Sequence, residues 1–184
     1  MTTKTGNTKV ITGKVRFSYC NVWEPRSVDG NSTPKYSVSL IIPKDDKQTI
    51  NKIQQAIEAA KEEGKSKWGG KIPNGLKTPL RNGDTDRPDD EAYENSYFVN
   101  ANSTIQPGIV DSGVNPIMNQ SEFYSGCYGR ASINFYAFNT NGNKGVAAGL
   151  QNLQKLEDGE PLGGRTSPDE DFEPLEETED DILG

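Results

Sequence analysis

Residues 127–138, CYGRASINFYAF, do more than any other stretch to limit the fold. Side chains alternate across a strand. One face would carry Cys127, Gly129, Ala131, Ile133, Phe135 and Ala137. It is small and apolar, as a core requires. The other would carry Tyr128, Arg130, Ser132, Asn134, Tyr136 and Phe138. A solvent face has no need of three aromatic rings, and a core face has no place for Arg130. The segment therefore reads as a strand with a core on one side and a binding surface on the other.

The rest of the chain supplies partners for that strand. Residues 9–23 alternate, with Ile11, Val15, Phe17 and Tyr19 set against Lys14, Arg16 and Ser18. Gly13 marks a bulge or bend within them. Residues 35–42 alternate again, with Tyr36, Val38, Leu40 and Ile42 on one face and Pro43 as the stop. The period then changes. Ile50, Ile53, Ile57 and Ala60 recur at helical spacing, with Asp45 as N-cap, Gln48 three residues later and Gly64 at the end. This predicts one amphipathic helix over about residues 46–63, closing the end of a β core. A long loop follows over residues 65–95. Strands resume at 97–103, and NTNGN at 139–143 signals a hairpin into a final strand at 145–154. Short strands with a single helix predict a mainly β, OB-like small barrel. An open sandwich is the alternative.

Charge divides the chain. Residues 1–156 hold 19 Lys and Arg against 15 Asp and Glu, a net of +4, while residues 157–184 hold one Arg against 12 acids, a net of −11. Such asymmetry points to a nucleic-acid or protein partner. The acidic segment has three prolines, Pro161, Pro168 and Pro174, and few apolar residues. It is expected to be a disordered tail, 157–184, on a globular domain, 1–156. Ile182 and Leu183, directly after Asp180 and Asp181, are of no use to a purely solubilising tail. They read as a contact for another protein.

Several classes are disfavoured. The chain has no histidine, which removes the commonest general base and the Ser-His and Cys-His nucleophile pairs. Two distant cysteines, Cys20 and Cys127, cannot make a usual zinc site and read as buried thiols. The acids Asp84, Asp86, Asp89, Asp90 and Glu91 lack the spacing of a calcium loop and read as a solvated turn. No metal or cofactor is expected, and no enzymatic activity. No apolar run reaches the ~20 residues of a membrane span. MTTKTGNTKV lacks the apolar core of a secretory signal. A cytoplasmic location follows.

Aromatic rings interleaved with cations suit a single nucleic-acid strand, whose unpaired bases stack and whose phosphates need neutralising. The candidate contacts are Tyr128, Arg130, Tyr136 and Phe138, extended by Lys14 and Arg16 and by Lys67 beside Trp68, with Trp23 as a rim aromatic. Packing is the competing use of the aromatics. Tyr136 and Phe138 suit cover by a loop or by the second copy of a homodimer, Trp68 suits a core plug, and Trp23 suits rim packing.

The stretches VRFSYCNVWEP (15–25), KYSVSLIIPKDD (35–46) and YSGCYGRASINFYAFNTNGNKGVAAGLQNLQKLEDGEPLGGR (124–165), with the tail, resemble a family of small bacteriophage single-stranded DNA-binding proteins. The resemblance implies an OB-like barrel with an acidic C-terminal tail. It also implies a role in phage DNA replication, recombination or repair inside the infected host cell, coating exposed strands and recruiting other proteins. The tip EDDILG is similar to the acidic tips of bacterial single-strand binders, which end in Pro-Phe where this chain has Ile-Leu-Gly. Two other classes make different predictions. A β-rich phage structural or interaction module would bury the Tyr128, Arg130, Tyr136, Phe138 face in an interface. A metal-dependent nuclease would use Asp84, Asp86 and Asp89.

Overall fold

A computed structural model describes residues 7–27, 30, 32–162 and 175 of the chain. Its elements are β1 (Lys9–Ile11), β2 (Val15–Arg26), β3 (Lys35–Pro43), α1 (Lys47–Glu63), β4 (Leu80–Asn82), α2 (Gly83–Asp86), β5 (Ser96–Ser103), β6 (Gly108–Val110), β7 (Tyr128–Thr140) and β8 (Asn143–Glu157). Single 3-10 turns lie at Lys65–Trp68, Glu91–Tyr93 and Gln120–Glu122.

The strands form one sheet that curls back on itself. β7 pairs with β2, β2 with β3, β3 with β5, β5 with β8, and β8 again with β7. Taken in chain order, these five strands run 1-2-3-5-4-1 around the barrel. The 3–5 neighbours, β5 and β8, are parallel and every other join in the ring is antiparallel. This is the partly open Greek-key barrel expected of an OB-like chain. Two joins are narrow. β2 meets β7 through Val15↔Gly129 and Arg16↔Tyr128, a join extended by the hydrogen bonds of Phe17 with Gly126 and Cys127, and β5 meets β8 through Ala101↔Ala148 and Asn102↔Gly149. β1, β4 and β6 are short additions on β7, β5 and β8.

The core follows the alternation. Val15, Phe17, Val38, Leu40, Ile42, Val99, Ala101, Ala131, Ile133, Phe135, Ala148 and Leu150 fill the interior. Ile50, Ile53, Ala56, Ile57 and Ala60 of α1 pack on the same cluster, so the helix closes the barrel as its spacing predicts. A second, smaller cluster of Ile41, Tyr93 and Phe98 lies apart from it. Ser39 and Ile41, the β3 residues that alternate with the interior set, are buried rather than solvated. The 83–95 segment accounts for this, because its fully buried Tyr93 donates from its hydroxyl to Ser39 Oγ at 2.8 Å.

Some local expectations change and others hold. The run at 9–23 is two strands. Gly13 bends the chain and donates its N–H to Thr49 Oγ1 at 2.9 Å, and β1 pairs with β7 rather than continuing β2. The predicted apolar face is therefore broken, with Val15 and Phe17 buried but Ile11 and Tyr19 exposed. The N-cap of α1 is Asp46, not Asp45, and its carboxylate accepts the N–H of Thr49 at 3.2 Å. Gly64 ends the helix in a right-handed conformation, φ −85°. Its glycine is required by packing, since a Cβ there would collide with the Cβ of Ala137. The turn of the β7–β8 hairpin is Asn141-Gly142, both at positive φ, as a two-residue loop needs.

Candidate nucleic-acid interface

The alternation that drew attention to residues 127–138 is carried into the structure. Gly129, Ala131, Ile133, Phe135 and Ala137 are buried, while Arg130 and Tyr136 are exposed and Tyr128, Ser132, Asn134 and Phe138 are half-buried. Two centres form on the outer face of β7.

At its start, Tyr128 pairs across to Arg16 of β2 and to Glu157 of β8. The Arg16 guanidinium lies 5.2 Å from the Tyr128 ring centroid and the Lys14 ammonium 5.4 Å from it. Two cations therefore share one ring, a cation–π arrangement. Arg16 is fixed further by donating Nε–H to Gly126 O at 3.1 Å and Nη2–H to Glu160 O at 2.8 Å. Lys14 pairs with Glu157, both side chains being about half exposed. Arg130 donates Nε–H to Thr12 O at 2.9 Å and keeps its exposed charge. These residues form a basic, aromatic-backed surface that can neutralise phosphate.

At the far end of β7, Tyr136 lies over Gly149 and is 42% exposed, the most accessible ring of the predicted set. Phe138 lies over Gly145 and is half-buried. Lys67 is exposed beside it, its carbonyl accepting from Asn139 Nδ2 at 3.1 Å.

The two tryptophans take packing positions. Trp68 is 7% exposed, sits in the main core, and donates its indole N–H to Phe138 O at 3.0 Å. Its ring is part of the barrel and cannot serve as a base platform. Trp23 is half-buried, with its N–H on Phe123 O at 3.0 Å. The tail residues Asp180, Asp181, Ile182 and Leu183 lie outside the described residues.

The acids at 84–91 have local partners. Asp84 accepts from Lys44 at 2.6 Å and from the Asn95 N–H at 2.9 Å, and these contacts hold its carboxyl below the usual range. Asp86 pairs with Arg81 at 3.1 Å, and Asp90 caps the 3-10 turn at Ala92. Among the described residues no cluster of ligands could hold a metal ion. Both cysteines are free, and burial pushes the Cys20 thiol up to about 12, against the opposing hydrogen bond with Ser125.

Sequence reasoning assigned Tyr19 to the core face and gave Arg87 no role. In the structure Tyr19 is 52% exposed, and the Arg87 guanidinium lies 5.2 Å from its ring centroid. Period-two reading fails at Tyr19 because β2 changes register between Ser18 and Asn21. A loop arginine carries no pattern that would mark it.

The comparisons with known proteins fall on this same architecture. A family model described as "Enterobacter phage Enc34, ssDNA-binding protein" matches residues 8–183. A curated relative, "Putative protein p50" of Acyrthosiphon pisum secondary endosymbiont phage 1, is 31% identical over 95% of this chain and 98% of its own length. Among solved structures, the single-stranded DNA-binding protein of bacteriophage Enc34 in complex with ssDNA superposes with a TM-score of 0.75 at 26% identity, over 85% of this chain and 90% of that one. The gp2.5 single-stranded DNA-binding protein of bacteriophage T7 is similar in fold, with a TM-score of 0.60 at 15% identity over 92% and 97% of the two chains. With a family model spanning nearly its whole length, the chain belongs to the Enc34 phage single-stranded DNA-binding protein family, a family of binders rather than of enzymes.

Proposed function

We propose that this chain binds single-stranded DNA without reading its sequence, along the outer face of β7, during phage DNA replication, recombination and repair in the host cytoplasm. The observation that carries the reading is the pairing of Lys14 and Arg16 on the Tyr128 ring, with exposed Arg130 and Tyr136 on the same strand face. Cations there meet phosphates, and the rings offer stacking surfaces that every base can use. Stacking and phosphate contacts do not depend on the identity of the base, so the affinity is sequence-tolerant. The family relationship and the Enc34 complex with ssDNA support the reading.

The acidic residues that follow β8 give the chain a second use. Their carboxylates imitate a phosphate chain and compete for the basic surface when DNA is absent. DNA displaces them and frees Asp180, Asp181, Ile182 and Leu183 for a basic, apolar pocket on a replication or recombination protein. Competition lowers apparent affinity by the fraction of molecules with an open surface.

The test is a fluorescence titration with oligo(dT) at low and high salt, with duplex DNA as control. It is run on the full chain and on a chain lacking residues 166–184. The expected result is quenching by the single strand, a weak response to duplex, steep loss with salt, and tighter binding by the truncated chain at low salt. The tryptophan that responds should be Trp23, since Trp68 is enclosed. No response from either chain at low salt overturns the binding reading. Equal affinities overturn the competition.

A further inference from the structure

β2 carries a strained residue. Tyr19 adopts φ +48°, a left-handed conformation unusual for a bulky side chain, at the point where β2 slips register against β3. Such strain persists where the surroundings impose it, and it collects at functional sites. Here it turns out to solvent a ring that alternation would have placed inside. That ring stands at the edge of a groove of about 880 Å³ lined also by Trp23, Arg26, Phe123, Tyr124 and Leu162.

The groove is built for a flat, aromatic guest. Trp23 is held by its indole N–H on Phe123 O at 3.0 Å, and the Tyr124 hydroxyl donates to Gly159 O at 3.0 Å. Both rings are thus anchored by their polar ends before any ligand arrives, which lowers the cost of binding. Among the described residues that line the groove, Arg26 is the one that is charged. On the other side of Tyr19, Arg87 lies about 5 Å from three ring centroids, those of Tyr19, Tyr93 and Phe98, and its buried Nε finds no hydrogen-bond acceptor among the described residues. Arg87 backs the Tyr19 ring as Lys14 and Arg16 back Tyr128.

The groove also adjoins the β7 surface. Arg16, beside Tyr128, donates to the carbonyls of Gly126 and Glu160, and the next residues along, Ser125 and Pro161, line the groove. We infer that the DNA strand, after crossing β7, continues past Arg16 into this groove, where an unpaired base stacks on Tyr19. The inference rests on the strand-binding reading and extends its track to a second surface.

Tyr19→Asn tests it cleanly, because Asn tolerates the left-handed conformation that strains Tyr. The variant should melt no lower than the wild type while binding oligo(dT) about 5- to 150-fold more weakly, the loss of one base stack. Tyr19→Phe should bind within about twofold of wild type, since the ring is kept. Ultraviolet cross-linking of the wild-type chain to oligo(dT) should mark the peptide containing Tyr19, which decides the matter even if a variant folds poorly. Wild-type affinity in Tyr19→Asn, or cross-links confined to β7, overturns the groove. If Tyr136→Ala weakens binding while Tyr19→Asn does not, only the groove falls. If the wild type itself does not bind, the strand-binding reading falls and takes the groove with it.

Discussion

The basic end of the β7 face makes a quantitative prediction about salt. Lys14, Arg16 and Arg130 gather there, and exposed Lys9 lies further along the same face, opposite Asn134 of β7. On a single strand each phosphate neutralised adds about −0.7 to the slope of log affinity against log salt. Four contacts give roughly −2.8, an affinity loss of about 50-fold between ~50 and ~200 mM salt. Changing Lys14 and Arg130 to Gln removes two of them, leaving a slope of about −1.4 and a loss of only about sevenfold over the same range. The fold should survive. The Lys14–Glu157 pair is half exposed on both sides and contributes at most ~1 kcal/mol. The Arg130 hydrogen bond to Thr12 O adds about 1 kcal/mol more. Together they correspond to a melting shift of a few degrees in a chain of this size. Oligo(dT) titrations at three or four salt concentrations measure the slope, with thermal melts as the control. A double variant whose slope matches the wild type would refute the assignment of this surface to phosphate.

Two further perturbations test the framework that holds the surfaces. Gly64→Ala should destabilise by about 1–3 kcal/mol through the collision with Ala137, and adding Ala137→Gly should restore most of that loss; an unshifted melting curve for the single variant would refute the packing argument. The Lys44 contact lowers the folded pKa of Asp84, so its contribution is present above the ordinary carboxylate range and lost as pH falls through the lowered value. Lys44→Gln should therefore melt below wild type at neutral pH and converge with it in acid, and a gap constant with pH would count against the contact.

Much of this architecture is legible in local pattern. The helix, the β7 alternation and the Asn-Gly hairpin each depend on neighbours a few residues away, and each is found close to its expected place. What escapes is set by distant contacts. Trp68 sits among lysines and glycines, a sequence setting that suits a nucleic-acid loop as well as a core. Its use as a plug depends on the carbonyl of Phe138, 70 residues on. Ser39 and Ile41 read as an outer face until Tyr93 covers them. The cluster on Tyr128 was half visible. Lys14, Arg16 and Tyr128 were each marked by type, but their meeting on one ring depends on a two-residue pairing between strands more than 100 positions apart. Tyr19 was misread because a bulge reverses the parity on which the reading depends.

The two narrow joins in the barrel also bear on how the chain is made. Val15 and Arg16 wait for Gly129 and Tyr128, and Ala101 and Asn102 wait for Ala148 and Gly149. Synthesis at ~5–20 residues per second leaves the early strands with an unfilled edge for many seconds. The β7–β8 ribbon, by contrast, is a local hairpin with a tight turn, able to form within microseconds of emerging. The nascent chain is therefore an open sheet that acquires its last two staves almost at once. The edge of β2 that carries Arg16 stays exposed until they arrive.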